Sequence, residues 1–103
     1  MESRYRSKYG NKITYCDNIR FASKKEARRY QSLKLLLKAK KISRLELQPR
    51  YDFPMGFFYK ADFAYLENGK RISEDVKGVK TPVFRLKRKC FIYFFPDIEL
   101  RLT

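Results

Sequence analysis

The sequence contains no histidine, and that absence removes whole classes of chemistry. Ser-His-Asp and Cys-His catalysis, histidine-ligated zinc, and nucleases with a histidine base or metal ligand are all excluded. Cysteine is scarce too: Cys16 and Cys90 lie far apart with no Cys-x-x-Cys spacing. Neither a zinc site nor a disulfide framework is indicated, and a reducing cytosol is the expected compartment. No apolar run is long enough to span a bilayer, and the opening residues lack the apolar stretch of a signal peptide. Repeats, low-complexity tracts and linkers are lacking as well. Acidic residues number only 11 against 25 Lys and Arg, a formal charge of +14. Any hydrolytic chemistry must therefore rest on carboxylates, lysine and a hard metal ion.

What is present reads as one domain over residues 1–103, with 44% apolar residues, a globular composition. Self-repulsion at +14 opposes a compact fold unless a polyanion accompanies it, and nucleic acid is the commonest such partner. A membrane surface is the rival polyanion, and the lack of any membrane-seeking segment places nucleic acid ahead.

The pattern along the chain predicts an α/β fold, an α+β mixed sheet in the order helix, three antiparallel strands, helix, strand, preceded by a small hairpin. Residues 1–12 read as a flexible basic arm. Ile13–Cys16 and Ile19–Phe21 flank Asp17-Asn18 as a hairpin. Ser23-Lys24-Lys25-Glu26 matches a capping box, with a helix running to about Lys40. Arg44–Phe53 and Phe57–Glu67 alternate as strands, separated by Pro54 and Gly56. Asn68-Gly69 is a two-residue hairpin turn, and a third strand covers Lys70–Lys77. Thr81-Pro82 opens a second helix ending near Pro96, and Ile98, Leu100 and Leu102 alternate in a last strand.

The Asn-Gly turn fixes the register. Glu67 faces Lys70, so Asp62 faces Asp75 and Lys60 faces Lys77. Like charges directly opposed destabilise a strand pair, and two facing aspartates call for something positive between them. Lys77 points to the same side as Asp75, whereas Glu74 and Val76 point the other way. Glu26 shares a helical stripe with Tyr30, Leu33 and Leu37, which aims it at the sheet. Two readings of Glu26 stay open: the reciprocal member of the capping box, reaching back to the Ser23 amide, or a third carboxylate of the site. Three carboxylates and a lysine without histidine suit Mg²⁺ or Mn²⁺, which prefer oxygen ligands.

These residues also carry a resemblance. Tyr59-Lys60-Ala61-Asp62-Phe63, followed after the hairpin by Asp75-Val76-Lys77, resembles the signature of PD-(D/E)XK, or restriction-endonuclease-like, nucleases. Phe21–Ala27, Leu45–Pro49, the Ala-Asp-Phe segment and Glu74–Gly78 together resemble a phage-encoded family described as Holliday-junction-resolvase-like endonucleases. The order of elements is also similar to the endonuclease subunit of a heteromeric bacterial transposase. The resemblance spans about residues 8–95. It implies a restriction-endonuclease-like core and a Mg²⁺-dependent endodeoxyribonuclease acting on DNA, plausibly branched, as a cytoplasmic phage or prophage protein in a bacterial host. It also implies Glu26, Asp62, Asp75 and the Val76 backbone carbonyl as metal ligands and Lys77 as the catalytic lysine. Ala61-Asp62 stands where the superfamily has Pro-Asp, and the Gln48–Asp62 segment is shorter than in the phage family. Gln48 either faces the site or is a polar edge residue.

Two basic clusters begin beside the carboxylates, where a phosphate backbone must pass: Lys24, Lys25, Arg28 and Arg29 on the first helix, and Lys80, Arg85, Lys87, Arg88 and Lys89 beyond the third strand. Arg4, Arg6, Lys8 and Lys12 extend them as an arm. The ring-rich second helix (Phe84, Phe91, Tyr93, Phe94, Phe95) either fills the core or covers a homodimer interface. The leading expectation is a divalent-metal-dependent DNA endonuclease. Its rivals are a non-catalytic DNA-binding or regulatory protein that keeps the fold and a protein-binding factor that meets an acidic partner.

Overall fold

The structure is a computed structural model that describes residues 12–76 and 81–103. It is an α+β fold with two helices and a mixed sheet. Strands β1 (Thr14–Cys16) and β2 (Ile19–Phe21) form the expected hairpin. Its two turn residues, Asp17 and Asn18, both take positive φ, as a tight two-residue hairpin demands. Helix α1 (Lys24–Lys38) begins where Ser23 Oγ accepts the Glu26 amide at 3.1 Å. Helix α2 (Pro82–Phe94) begins the same way, with Thr81 Oγ1 accepting from the Phe84 amide and proline in the first turn. Among the described residues, no helix is long and apolar enough to cross a membrane.

The central sheet has the order β3-β6-β7-β8, from Ser43–Leu47, Phe63–Glu67, Lys70–Asp75 and Ile98–Leu102. β6 and β7 pair antiparallel across the Asn68-Gly69 turn in the expected register, from Glu67 opposite Lys70 to Phe63 opposite Glu74. β8 joins the far edge parallel to β7.

Two predicted strands are each divided in the structure. Arg44–Phe53 becomes β3 and β4 (Arg50–Asp52), and Phe57–Glu67 becomes β5 (Phe58–Lys60) and β6. β4 and β5 pair with each other as a separate ribbon, in which Lys60 lies opposite Arg50. Lys77 itself, with Gly78, Lys80 and the basic arm through residue 11, falls outside the described residues.

The two breaks meet. Gln48, with φ at 50°, donates its amide to the Asp62 carbonyl at 2.9 Å, and Ala61 donates to Pro49 at 3.1 Å. At this joint the ribbon turns over. Leu45, Leu47, Phe63 and Tyr65 pack on the α1 side with Phe21, Tyr30, Leu33 and Ile72. Tyr51, Phe53, Tyr59 and Ala61, at positions of the same parity, pack on the α2 side with Phe84 and Phe91. An unbroken strand keeps one parity on one face; here the joint transfers it from one core to the other.

One buried polar network ties α1 to the sheet. Glu74 is fully buried and accepts from Arg29 Nε at 2.5 Å and Nη2 at 3.0 Å, from the Tyr65 hydroxyl at 2.5 Å and from Thr103 Oγ1 at 3.1 Å. Burial raises its pKa, but the bonds to Arg29 and Tyr65 more than offset that, and the carboxyl ends below its ordinary value. Tyr65 is pushed the other way, to about 12, by burial and by donating to Glu74. Removing one partner of a buried, bidentate pair leaves the other charge uncompensated, at about 3 kcal/mol or more. Glu74→Ala is therefore expected to lose about that much in urea unfolding, whereas the double change Arg29→Met with Glu74→Met loses clearly less than the sum of its two single changes.

Candidate metal and nucleic-acid site

The site forms where the joint between β5 and β6 meets the end of β7. Asp75 is 2% exposed and shares the α2-facing side of β7 with Ser73, beside Leu100 and Leu102 of β8. The Tyr59 hydroxyl, projecting from β5, donates to Asp75 Oδ2. Asp62 lies one step past the last β6–β7 pair, its amide donating to the Glu74 carbonyl at 3.1 Å. Its Oδ2 accepts the Val76 amide at 2.7 Å, and its carboxyl hydrogen-bonds that of Asp75. The two aspartates expected to oppose each other are therefore in contact.

Burial pushes the Asp62 carboxyl up to about 8; the bond to Asp75 adds to this, the Val76 amide opposes it, and the Asp75 and Glu26 charges raise it further. Glu26 thus stands close enough for its charge to act on Asp62. Glu26, Gln48 and Asp62 line one cleft of about 250 Å³, walled by Phe21, Leu47 and Phe63. Of the two readings of Gln48, its place in this cleft favours the one that faces the site.

Glu26 does both things open to it. Its Oε1 accepts an amide at 3.4 Å, that of Ala22 rather than the Ser23 amide expected of a capping box, while the residue lines the cleft. The donor set is oxygen-only, which suits Mg²⁺ or Mn²⁺. Among the described residues, however, no group of three or more Asp, Glu, Cys or His side chains is gathered closely enough to hold a metal ion. A cation between Asp62 and Asp75 would have to draw Glu26 inward.

The basic residues divide. Lys24, Lys25 and Arg28 are exposed on the first turns of α1, and Arg85, Arg88 and Lys89 are exposed on α2. Lys87 is half-buried, with Nζ 5.4 Å from the Phe58 ring centroid. Arg29, expected among the phosphate contacts, is committed instead to Glu74. Two residues of the site escaped the sequence reading. Arg20, on β2, lines the same cleft as Glu26 and Asp62. The other is Tyr59: nothing in a strand of alternating rings marks the one whose hydroxyl meets an aspartate.

The raised pKa of Asp62 makes a stability prediction. The folded chain holds this proton more tightly than the unfolded chain, whose value is near 3.8. The associated stability is full below that value and is lost as pH rises toward about 8. In EDTA, Asp62→Asn removes the loss. Its melting temperature is expected to rise relative to wild type from pH 5 to pH 8 and to keep a constant lead above that. A lead independent of pH would contradict the charge repulsion inferred at the pair.

No curated protein and no solved structure matches the chain. A family model described as "Protein of unknown function (DUF1064)" matches residues 6–103, which include both aspartates, Glu26 and both helices. The chain belongs to the DUF1064 family.

Proposed function

We propose that this protein is a Mg²⁺- or Mn²⁺-dependent DNA endonuclease with a restriction-endonuclease-like core, acting on branched DNA in the manner of Holliday-junction resolvases. The observation that carries the reading is the meeting of Asp62 and Asp75, two carboxyls brought together where the hairpin ends, one of them 2% exposed. Folding two acids against each other is unfavourable unless a positive ligand repays it, and a divalent cation is the ligand that oxygen donors select.

In this reading Asp62, Asp75, Glu26 and the Val76 carbonyl hold the ion, which would supply Lewis acidity toward a phosphodiester and toward water. Tyr59 fixes the orientation of Asp75, and the Val76 amide fixes Asp62. Lys77 stabilises charge on the phosphorane. Lys24, Lys25 and Arg28 on α1, Arg85, Lys87 and Arg88 on α2, and Lys80 hold the backbone by charge. Gln48 meets the substrate at the mouth of the cleft. The competing reading, a non-catalytic DNA-binding protein of the same fold, is favoured by one observation: the three carboxylates are not closed on one point.

Cleavage assays on matched linear, nicked, flap and four-way DNA separate the two. The nuclease reading expects cutting with Mg²⁺ or Mn²⁺ and none in EDTA, and background activity for Asp62→Asn and Asp75→Asn. Glu26→Gln is the sharper variant. Its amide oxygen can still accept from Ala22, so melting stays near normal while activity is lost. Full activity in Glu26→Gln would return that residue to a capping role.

A four-way junction needs two symmetric cuts, and a two-fold dimer is the simplest arrangement of two such sites. The ring-rich helix splits accordingly. Phe84 and Phe91 are buried in the core, whereas Val83, Leu86 and Tyr93 are 63%, 58% and 77% exposed. Sedimentation equilibrium at micromolar concentration is expected to show a dimer, with or without junction DNA. A monomer in both conditions would leave a nicking or flap-cleaving enzyme.

A further inference from the structure

On the far side of Tyr59 from the carboxylates lies a second concentration of charge. β4 and β5 pair so that Arg50 stands directly opposite Lys60. Like charges placed so are destabilising, as they are at the aspartate pair, but here the sign is positive. A third cation joins from α2. The Arg50 guanidinium lies 3.7 Å from the Phe58 ring centroid and Lys87 Nζ lies 5.4 Å from it, so one ring gathers two cations from different elements. Against these three charges stands one carboxylate, Asp52, paired with Arg50 at 3.0 Å and largely exposed. Lys60 has no ion pair among the described residues.

Lys60 and Lys87 line a cavity of about 220 Å³ with Phe58, Tyr59, Thr81, Val83 and Phe84, and Arg50 joins them over the Phe58 ring. α2 opens at it through its Thr81 cap, which adds partial positive charge. Tyr59 belongs to both places: it lines this cavity while its hydroxyl meets Asp75.

We propose that Arg50, Lys60 and Lys87, gathered round Phe58, are a phosphate-binding platform for the strand being cut, holding the backbone at nucleotides flanking the scissile phosphate. This deepens the nuclease reading and rests on it. The carboxylate cleft would take the reacting phosphate through a cation, and the platform would take its neighbour directly through side-chain charge. The ring holds the cations in place before the strand arrives, so less side-chain freedom is lost on binding.

The test uses the full chain with Arg50→Gln and Lys60→Gln combined, which keeps both apolar stems, checked for normal melting. Lys38→Gln with Lys70→Gln, two exposed lysines elsewhere, is the control. Binding to labelled DNA is measured in EDTA by anisotropy across a salt series. The platform variant is expected to lower the slope of log affinity against log salt by about 2, near 0.9 for each lost phosphate contact, and the control leaves it unchanged. A single neutral methylphosphonate beside the cleavage position is expected to weaken binding by wild type and not by the platform variant. A slope and a methylphosphonate response equal to wild type would overturn the platform, and Mg²⁺-dependent cutting by the wild type would then leave the nuclease reading in place. A lowered slope in the platform variant, together with a wild type that binds but cuts no DNA, would instead remove the nuclease reading while the strand-binding role of these residues stands. A wild type that binds no DNA overturns both.

Discussion

The Asn68-Gly69 turn decides which acids meet at the other end of the hairpin. Both residues take positive φ, which a two-residue turn matched to strand twist requires, and the register they set runs without slippage to Phe63 and Glu74. Everything else in the site hangs on that count. It brings Asp62 to Asp75, turns Glu74 to the opposite face, and carries the β7 edge on to β8. Side-chain alternation has a period of two, so a slip of one residue would exchange the buried acids between the two sides of the sheet.

Adjacent residues of β7 thus live under opposite electrostatic regimes. Glu74 is neutralised by Arg29 and held by two hydroxyls, so its charge is part of the fold. Asp75 meets another carboxyl and a tyrosine hydroxyl on the opposite face. The first acid helps dock α1, and the second meets Asp62 on the other face. Position alone, one face or the other, decides which partners each carboxylate finds.

Much of this is legible in the sequence because it is local or periodic. The caps at Ser23 and Thr81, the Asp17-Asn18 hairpin, the Asn-Gly register and the element order all follow from short-range rules, and Asp62, Asp75 and Glu26 were placed near one another on that basis. The joint was not legible. Leu45, Leu47, Tyr51 and Phe53 alternate as one strand would, and so do Tyr59, Ala61, Phe63 and Tyr65. Nothing in the period reveals that the ribbon turns over at Gln48 and Asp62 to feed a second core. Lys60 meets Arg50 across the β4–β5 ribbon for that reason. Sequence places Arg29 among the phosphate contacts because helical spacing gives direction without naming what lies across from it, and the fully buried Glu74 declares itself only in three dimensions.

The division of labour along the chain also bears on where length can change. The turn at Asn68-Gly69 is a ruler: one added residue would move every downstream pairing, unseat Glu74 from Arg29 and Asp75 from Asp62 together. The opposite end of the β4–β5 ribbon carries no such duty. Its tip is a short 3-10 turn at Pro54–Gly56, with Met55 85% exposed, and it lies beyond the joint from the carboxylates. Exposed loop tips are where insertions are best tolerated. A relative of this chain can therefore lengthen or reshape that tip, and with it whatever the ribbon touches, without re-aiming a single acid, so the reach of the molecule can diverge while its chemistry stays fixed.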